Sequence, residues 1–145
     1  MLASTERILE LTTQNQFLEA FPILNQLRTD LTEGSYLELL TQMKQNGYKL
    51  FALYREQSII AVAGISLQVN FYNKKYVFVY DLITDAAHRS QGYGYRLLSY
   101  IDEWAKSNGA QFVALESGIQ RIDAHRFYEE KLNYDKWCYS FRKLL

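Results

Sequence analysis

The chain has one cysteine, Cys138, one proline, Pro22, and two histidines, His88 and His125. A single cysteine excludes an intrachain disulfide and a cysteine-held metal cluster. Within the aromatic stretch Trp137-Cys138-Tyr139 it is expected as a small buried hydrophobe rather than as a catalytic thiol. The two histidines are far apart in sequence and have no pattern of ligands around them, so no metal site is expected. Net charge is lacking as well, 16 Lys and Arg against 16 Asp and Glu, and nucleic acid is therefore not an expected partner. No apolar run approaches the roughly 20 residues that span a bilayer. Met1 to Leu11 carries Glu6, Arg7 and Glu10 where a secretory signal would be apolar, which points away from a membrane and toward the cytoplasm. Linkers, repeats and low-complexity tracts are also lacking, and 145 residues at 48% hydrophobic content fit one domain, 1–145, around one core.

What is abundant is aromatic: 12 tyrosines, expected in the main as packed rings with wet hydroxyls. What is specific is Arg89-Ser90-Gln91-Gly92-Tyr93-Gly94. Tyr76 to Thr84 (YVFVYDLIT) before it is β-branched and aromatic, and Leu97, Leu98, Ile101, Trp104 and Ala105 after it recur at the spacing of a buried helical stripe. The glycines thus sit at a strand-to-helix junction, where they permit positive φ and close backbone approach while the first amides of the helix point outward. An anionic phosphate suits that end of a helix dipole. A Walker loop is excluded because no Gly-Lys-Ser or Gly-Lys-Thr occurs, and a dinucleotide fingerprint would need a small residue where Leu97 stands.

Local signals predict a first strand over residues 7–12, then a helix capped by Thr12 or Thr13 that Pro22 kinks or divides. A second helix is predicted from Ser35, with Glu38 at its third position, to Gly47. Strands are predicted over 48–54, 58–69 and 76–84, a helix over 93–107 closed by Asn108-Gly109, a strand over 111–116 and a helix over 123–131. Strands over 134–135 and 139–144 complete the series. The order β-α-α-β-β-β-α-β-α-β-β predicts a mixed α/β sheet.

The spacing Arg-x-x-Gly-x-Gly resembles the acetyl-coenzyme A loop of the GCN5-related N-acetyltransferase (GNAT) superfamily, and Ala124-His125-Arg126-Phe127-Tyr128 with Leu132-Asn133-Tyr134 is similar to its A-x-x-F-Y…G-F segment. Arg121 to Tyr128 and Ser140-Phe141-Arg142 are similar to aminoalkylphosphonate N-acetyltransferases and their relatives. The resemblance implies the acyl-coenzyme A N-acyltransferase fold, a central twisted mixed sheet with helices on both faces. It implies acetyl-coenzyme A as co-substrate, transfer to a primary amine of a small molecule within a ternary complex, and leaves room for a homodimer. An acyl-coenzyme A-binding regulatory module without turnover is the alternative.

The resemblance also implies roles. Leu82, Ile83 and Thr84 at the strand end, with Arg89, Ser90, Gln91, Gly92, Tyr93, Gly94 and Tyr95, would hold the coenzyme, and Leu82 or Ile83 would offer an oxyanion N–H at a bulge. Asp81, eight residues before Arg89 where such enzymes often place Glu, is the candidate base. Glu116 and water are the alternatives, and Tyr128 is the candidate acid for the departing sulfur. Departures are Gly118 where relatives often have Asn, Ala86 where a loop proline is common, and Asn133 where glycine is usual. A serine nucleophile served by Asp85 and His88 has no supporting elbow motif.

Overall fold

The structure, a computed structural model, describes residues 5–145; Met1 to Ser4 lie outside the described residues. β1 (Glu6–Leu11) leads through the Thr13 cap into α1 (Gln14–Leu27), followed by α2 (Glu33–Gln45), β2 (Lys49–Arg55), β3 (Ser58–Asn70) and β4 (Lys74–Thr84). A 3-10 turn (Ala86–His88), α3 (Tyr93–Ser107), β5 (Phe112–Leu115) and α4 (Ile122–Arg126) come next, and α4 runs on into a π-helical turn (Phe127–Lys131). The described residues separate into two compact units, residues 5–114 and 115–145.

The sheet has the order β1-β2-β3-β4-β5, and β1 to β4 form an antiparallel meander. β2 is buried at five successive positions, Leu50 to Tyr54, because both of its faces are covered. Leu50, Ala52 and Tyr54 share a core with Phe17, Ala20 and Leu24 of α1 and Leu40 of α2. Phe51, pointing the other way, meets Tyr100 and Trp104 of α3 at 5.8 Å between ring centres in each case. β5 arrives through the α3 crossover, which makes the sheet mixed. Among the described residues no helix is long and apolar enough to cross a membrane.

The expected α3 and its Asn108-Gly109 ending are found, with Gly109 at φ +80°. Of the two alternatives for Pro22, division of the helix falls, since α1 continues to Leu27. Three expectations are corrected. The cap of α2 is Thr32 rather than Ser35: Thr32 Oγ1 accepts from the Ser35 amide at 3.1 Å while Ser35 Oγ accepts from the Thr32 amide at 2.9 Å, a reciprocal box that starts the helix earlier. The two last strands are not formed. Residues 134–145 make no ladder, leaving Tyr139 and Phe141 exposed, and Cys138 is exposed too, because burial there needed the missing pairing.

Candidate active site

The glycine loop in the first unit has the shape expected from its residues. Ser90 and Gly92 both lie at positive φ, +63° and +83°, and Gly92 is the N-cap of α3 with no side chain to cap the helix. Arg96 is the first residue to close the helix, its amide donating to the Gly92 carbonyl at 3.0 Å, so the amides of Tyr93, Gly94 and Tyr95 open the helix without an intrahelical acceptor. Gly94 has no positive φ to require glycine. Arg89, Ser90 and Gln91 are exposed, and the Arg89 side chain makes a long 3.5 Å contact to the Thr84 carbonyl. The loop is braced from behind. Arg96 donates to both carboxylate oxygens of Glu6 on β1 (3.0 and 2.9 Å) and to the Gln91 carbonyl (3.3 Å). Tyr93 is buried and its hydroxyl accepts from Arg55 at 3.0 Å.

Asp81 is buried on β4, facing the α1–α2 side as Ile83 does two residues on. Its Oδ1 accepts from Arg28 Nε at 2.9 Å and its Oδ2 from the Tyr48 hydroxyl at 2.8 Å. Opposite Asp81 in the ladder stands Gly64, and the Tyr48 phenol lies over the place where a Cβ on Gly64 would be. Burial and the adjacent Asp81 carboxylate push the phenols of Tyr48 and Tyr36 well above the ordinary tyrosine value. Tyr36 donates its hydroxyl to the Phe17 carbonyl at 2.9 Å. To act as a base, Asp81 has to use lone pairs beyond the two already engaged.

β4 does carry a bulge, but not at Leu82 or Ile83. Gly64 pairs with Asp81 and Ile65 with Val79, which leaves Tyr80 as the extra residue, and Arg28 Nη2 donates to its carbonyl at 2.8 Å. The bulge sits beside Gly64, where the Tyr48 ring packs against the strand. Leu82, Ile83 and Thr84 pair regularly with Ala63, Val62 and Ala61. On the other side of β4, β5 begins where the Gln111 amide donates to the Lys75 carbonyl (2.7 Å), and its four residues are too short to reach Leu82.

In the second unit, Glu116 follows the last residue of β5 and is exposed. The Gly118 carbonyl accepts from the Arg121 amide (3.0 Å) and lies 2.9 Å from His125 Nε2. Tyr128 is buried in the π-helical turn, and its phenol is pushed up from its usual value, burial outweighing the opposing charge and hydrogen bond of Arg121. Phe127 is half-buried beside it, ring centres 5.7 Å apart. Asn133 adopts φ +59°, the left-handed turn in which Asn stands in for glycine. The serine-nucleophile arrangement is not assembled: Asp85 Oδ1 accepts from Gln26 Nε2 (3.1 Å) and the Ala87 amide (3.4 Å). Its carboxyl is held below the usual range, chiefly by Gln26. Among the described residues no group of three or more His, Cys, Asp or Glu is placed to hold a metal ion.

Arg28, Tyr48, Gly64 and Arg96 thus shape the candidate site and lie beyond the reach of sequence reasoning. Their partners lie 53, 33 and 90 residues away for Arg28–Asp81, Tyr48–Asp81 and Arg96–Glu6, so no local spacing signals them.

Comparison with known proteins bears on family and fold. The model of the "Acetyltransferase (GNAT) family" matches residues 9–134. The "Uncharacterized N-acetyltransferase YhdJ" of Bacillus subtilis (strain 168) is 41% identical over 135 residues, 92% of this chain and 95% of that protein. The aminoalkylphosphonate N-acetyltransferase of Salmonella typhimurium is 27% identical over 92 residues, 63% of this chain and 59% of that protein. Among solved structures, the aminoglycoside N-acetyltransferase AAC(6')-Iy in complex with CoA superposes with a TM-score of 0.83 at 15% identity, over 98% of this chain and 97% of that one.

Proposed function

The chain belongs to the acetyltransferase (GNAT) family, and from that premise we propose that it moves an acetyl group from acetyl-coenzyme A to a primary amine of a small molecule by direct transfer in a ternary complex, as one domain spanning 1–145. The observation that carries the reading is the start of α3. Three amides without intrahelical acceptors follow a glycine at φ +83°, the second of them belongs to Gly94, whose backbone conformation does not require glycine, and Arg89 stands exposed just before them in the chain. This set fits a pyrophosphate, which takes amide donors and a guanidinium and tolerates no side chain against it.

The coenzyme supplies the acetyl thioester. Leu82, Ile83 and Thr84 line the stretch of β4 beyond the reach of β5, where backbone groups are free to meet an extended ligand arm. Asp81 fixes the acceptor amine and receives its proton directly or through water, with Glu116 in reserve. Tyr128, held protonated by burial, donates to the departing sulfur as the carbon–sulfur bond breaks and the new carbon–nitrogen bond is completed. Aminoalkylphosphonate and aminoglycoside acetyltransferases among the relatives support a small-molecule amine as acceptor.

The test is calorimetric titration with acetyl-coenzyme A followed by thiol release over a panel of amines. Saturable binding together with amine-dependent release is expected. Binding without release from any amine would replace this reading with a coenzyme-binding module, and no binding at all would remove both.

A further inference from the structure

Arg28 is built more firmly than a surface arginine needs to be. It closes α1, its amide donating to the Leu24 carbonyl at 2.9 Å. Its own carbonyl accepts from Asn25 Nδ2 (2.8 Å) and from the Leu31 amide (3.3 Å), and the same Asn25 nitrogen reaches the Leu31 carbonyl at 3.1 Å. The side chain is then fixed at its inner edge by Asp81 and the Tyr80 bulge carbonyl. Of the five guanidinium N–H groups two are used in this way. Both hydrogens of Nη1 and one of Nη2 have no protein acceptor among the described residues, and the side chain is 46% exposed where that of Asp81 is 9%. A guanidinium held from behind, with its outer edge open, presents a planar fork to a carboxylate or phosphoryl group.

We propose that Arg28 sets acceptor specificity, so that the amine acetylated at this site carries an acidic group, carboxylate or phosphoryl, which the outer edge of Arg28 receives. The proposal rests on the acetyltransferase reading and on Asp81 facing the acceptor. Arg28 and Asp81 together are neutral. A zwitterionic acceptor keeps the site neutral, its ammonium near the carboxylate and its acid on the guanidinium, whereas a simple amine adds an uncompensated positive charge and a diamine adds two. The competing view makes Arg28 only a strap between α1 and β4.

The experiment compares kcat/KM for matched acceptors: β-alanine against propylamine, ethanolamine phosphate against ethanolamine, and 1,3-diaminopropane as the dication. The wild type is expected to favour each acidic member by about tenfold or more, the scale of a charge-assisted hydrogen-bond pair. The two pairs separate a carboxylate from a phosphoryl preference. Arg28→Gln should bring the ratios close to one, and Arg28→Lys, a point charge without the fork, should lower them by about threefold. Should Arg28→Gln fail to fold, the Arg28→Lys ratio decides. Equal use of acidic and neutral amines by the wild type, or ratios unmoved in both variants while the melting temperature falls, would leave Arg28 as a strap and overturn the proposal alone. Coenzyme binding without acetylation of any amine would overturn the acetyltransferase reading and this inference with it.

Discussion

Gly64→Ala is a one-carbon change whose effect comes from a single contact. The new Cβ would stand 2.8 Å from Cε1 of Tyr48 and closer still to its Cζ and hydroxyl oxygen, so the phenol has to move. Tyr48 is 6% exposed and packed in the α1–α2 core, so displacing its ring disturbs that packing. Overpacking of this kind costs about 1–3 kcal/mol. Moving the ring also breaks the 2.8 Å bond from its hydroxyl to Asp81, and a buried hydrogen bond to a charged group is worth about 1.5–3 kcal/mol. The two losses together come to roughly 2.5–6 kcal/mol, or a fall of about 5–20 °C in melting temperature for a chain of this size.

The informative measurement is the same substitution made twice, by urea or thermal unfolding, in the wild type and in Tyr48→Ala. With the phenol gone the added methyl meets no ring, and alanine in a strand interior is favoured over glycine by about 0.5–1 kcal/mol. Gly64→Ala should therefore change sign, destabilising the wild type and leaving Tyr48→Ala unchanged or slightly more stable. A cost that is equal in the two backgrounds, or a wild-type cost below about 0.5 kcal/mol, would show that Tyr48 is not the reason glycine stands opposite Asp81.

Gly92→Val should weaken acetyl-coenzyme A binding measured by calorimetry, because a β-branched residue at φ +83° costs about 1–2 kcal/mol and its Cβ would lie 3.0 Å from Arg96 Nη1, the brace of the loop. Unchanged affinity in a folded variant would remove the phosphate assignment. Tyr128→Phe should lower kcat by about 10²-fold with little change in coenzyme affinity, and the wild-type alkaline limb should fall above the ordinary tyrosine value, since burial raises that phenol and activity needs it protonated. Full activity in Tyr128→Phe would reduce the residue to packing. Tyr54, whose hydroxyl donates to Glu19 at 2.9 Å, has its pKa pushed up to about 12, first by burial and then by that carboxylate. The unfolded chain ionises first, so the contribution of Tyr54 to stability is whole below about pH 10 and is lost as pH rises toward 12; Tyr54→Phe should make the fall of the urea midpoint over that stretch shallower, the rest of the slope coming from Tyr36, Tyr48 and Tyr128.

What can be read from the sequence is what neighbouring residues decide among themselves. The glycine loop and α3 fall where expected because cap, stripe and terminator lie within one stretch. The start of α2 is ambiguous in sequence because Thr32 and Ser35 are both good caps, and only the reciprocal bonds between them select the first. The alternation of Trp137, Tyr139 and Phe141 encodes a capacity for strand, while forming one takes a ladder partner that no local pattern names. The β4 bulge is expected in kind but two or three residues too late; it falls at Tyr80 beside Gly64, where the Tyr48 ring packs, a contact 16 residues apart in the chain and invisible to periodicity.

The end of α1 gives these separate features a common support. Gln26 donates to Asp85 Oδ1 at 3.1 Å and accepts from the Ala86 amide at 2.9 Å, which fixes the turn that leads into the glycine loop. Two residues later Arg28 fixes Asp81 and the Tyr80 carbonyl. Asn25, between the same helix turn and Leu31, keeps the helix end from fraying. One turn of helix therefore holds both the turn before the glycine loop and the buried carboxylate on β4, and each of its two long side chains is pinned by a pair of hydrogen bonds. Pro22 sits one turn upstream, its ring clashing with the Leu18 carbonyl in an ideal helix, and any bend it imposes is transmitted to both contacts together. The turn before the glycine loop and the acidic residue on β4 are thus both tied to the same last turn of α1, through Gln26 and Arg28.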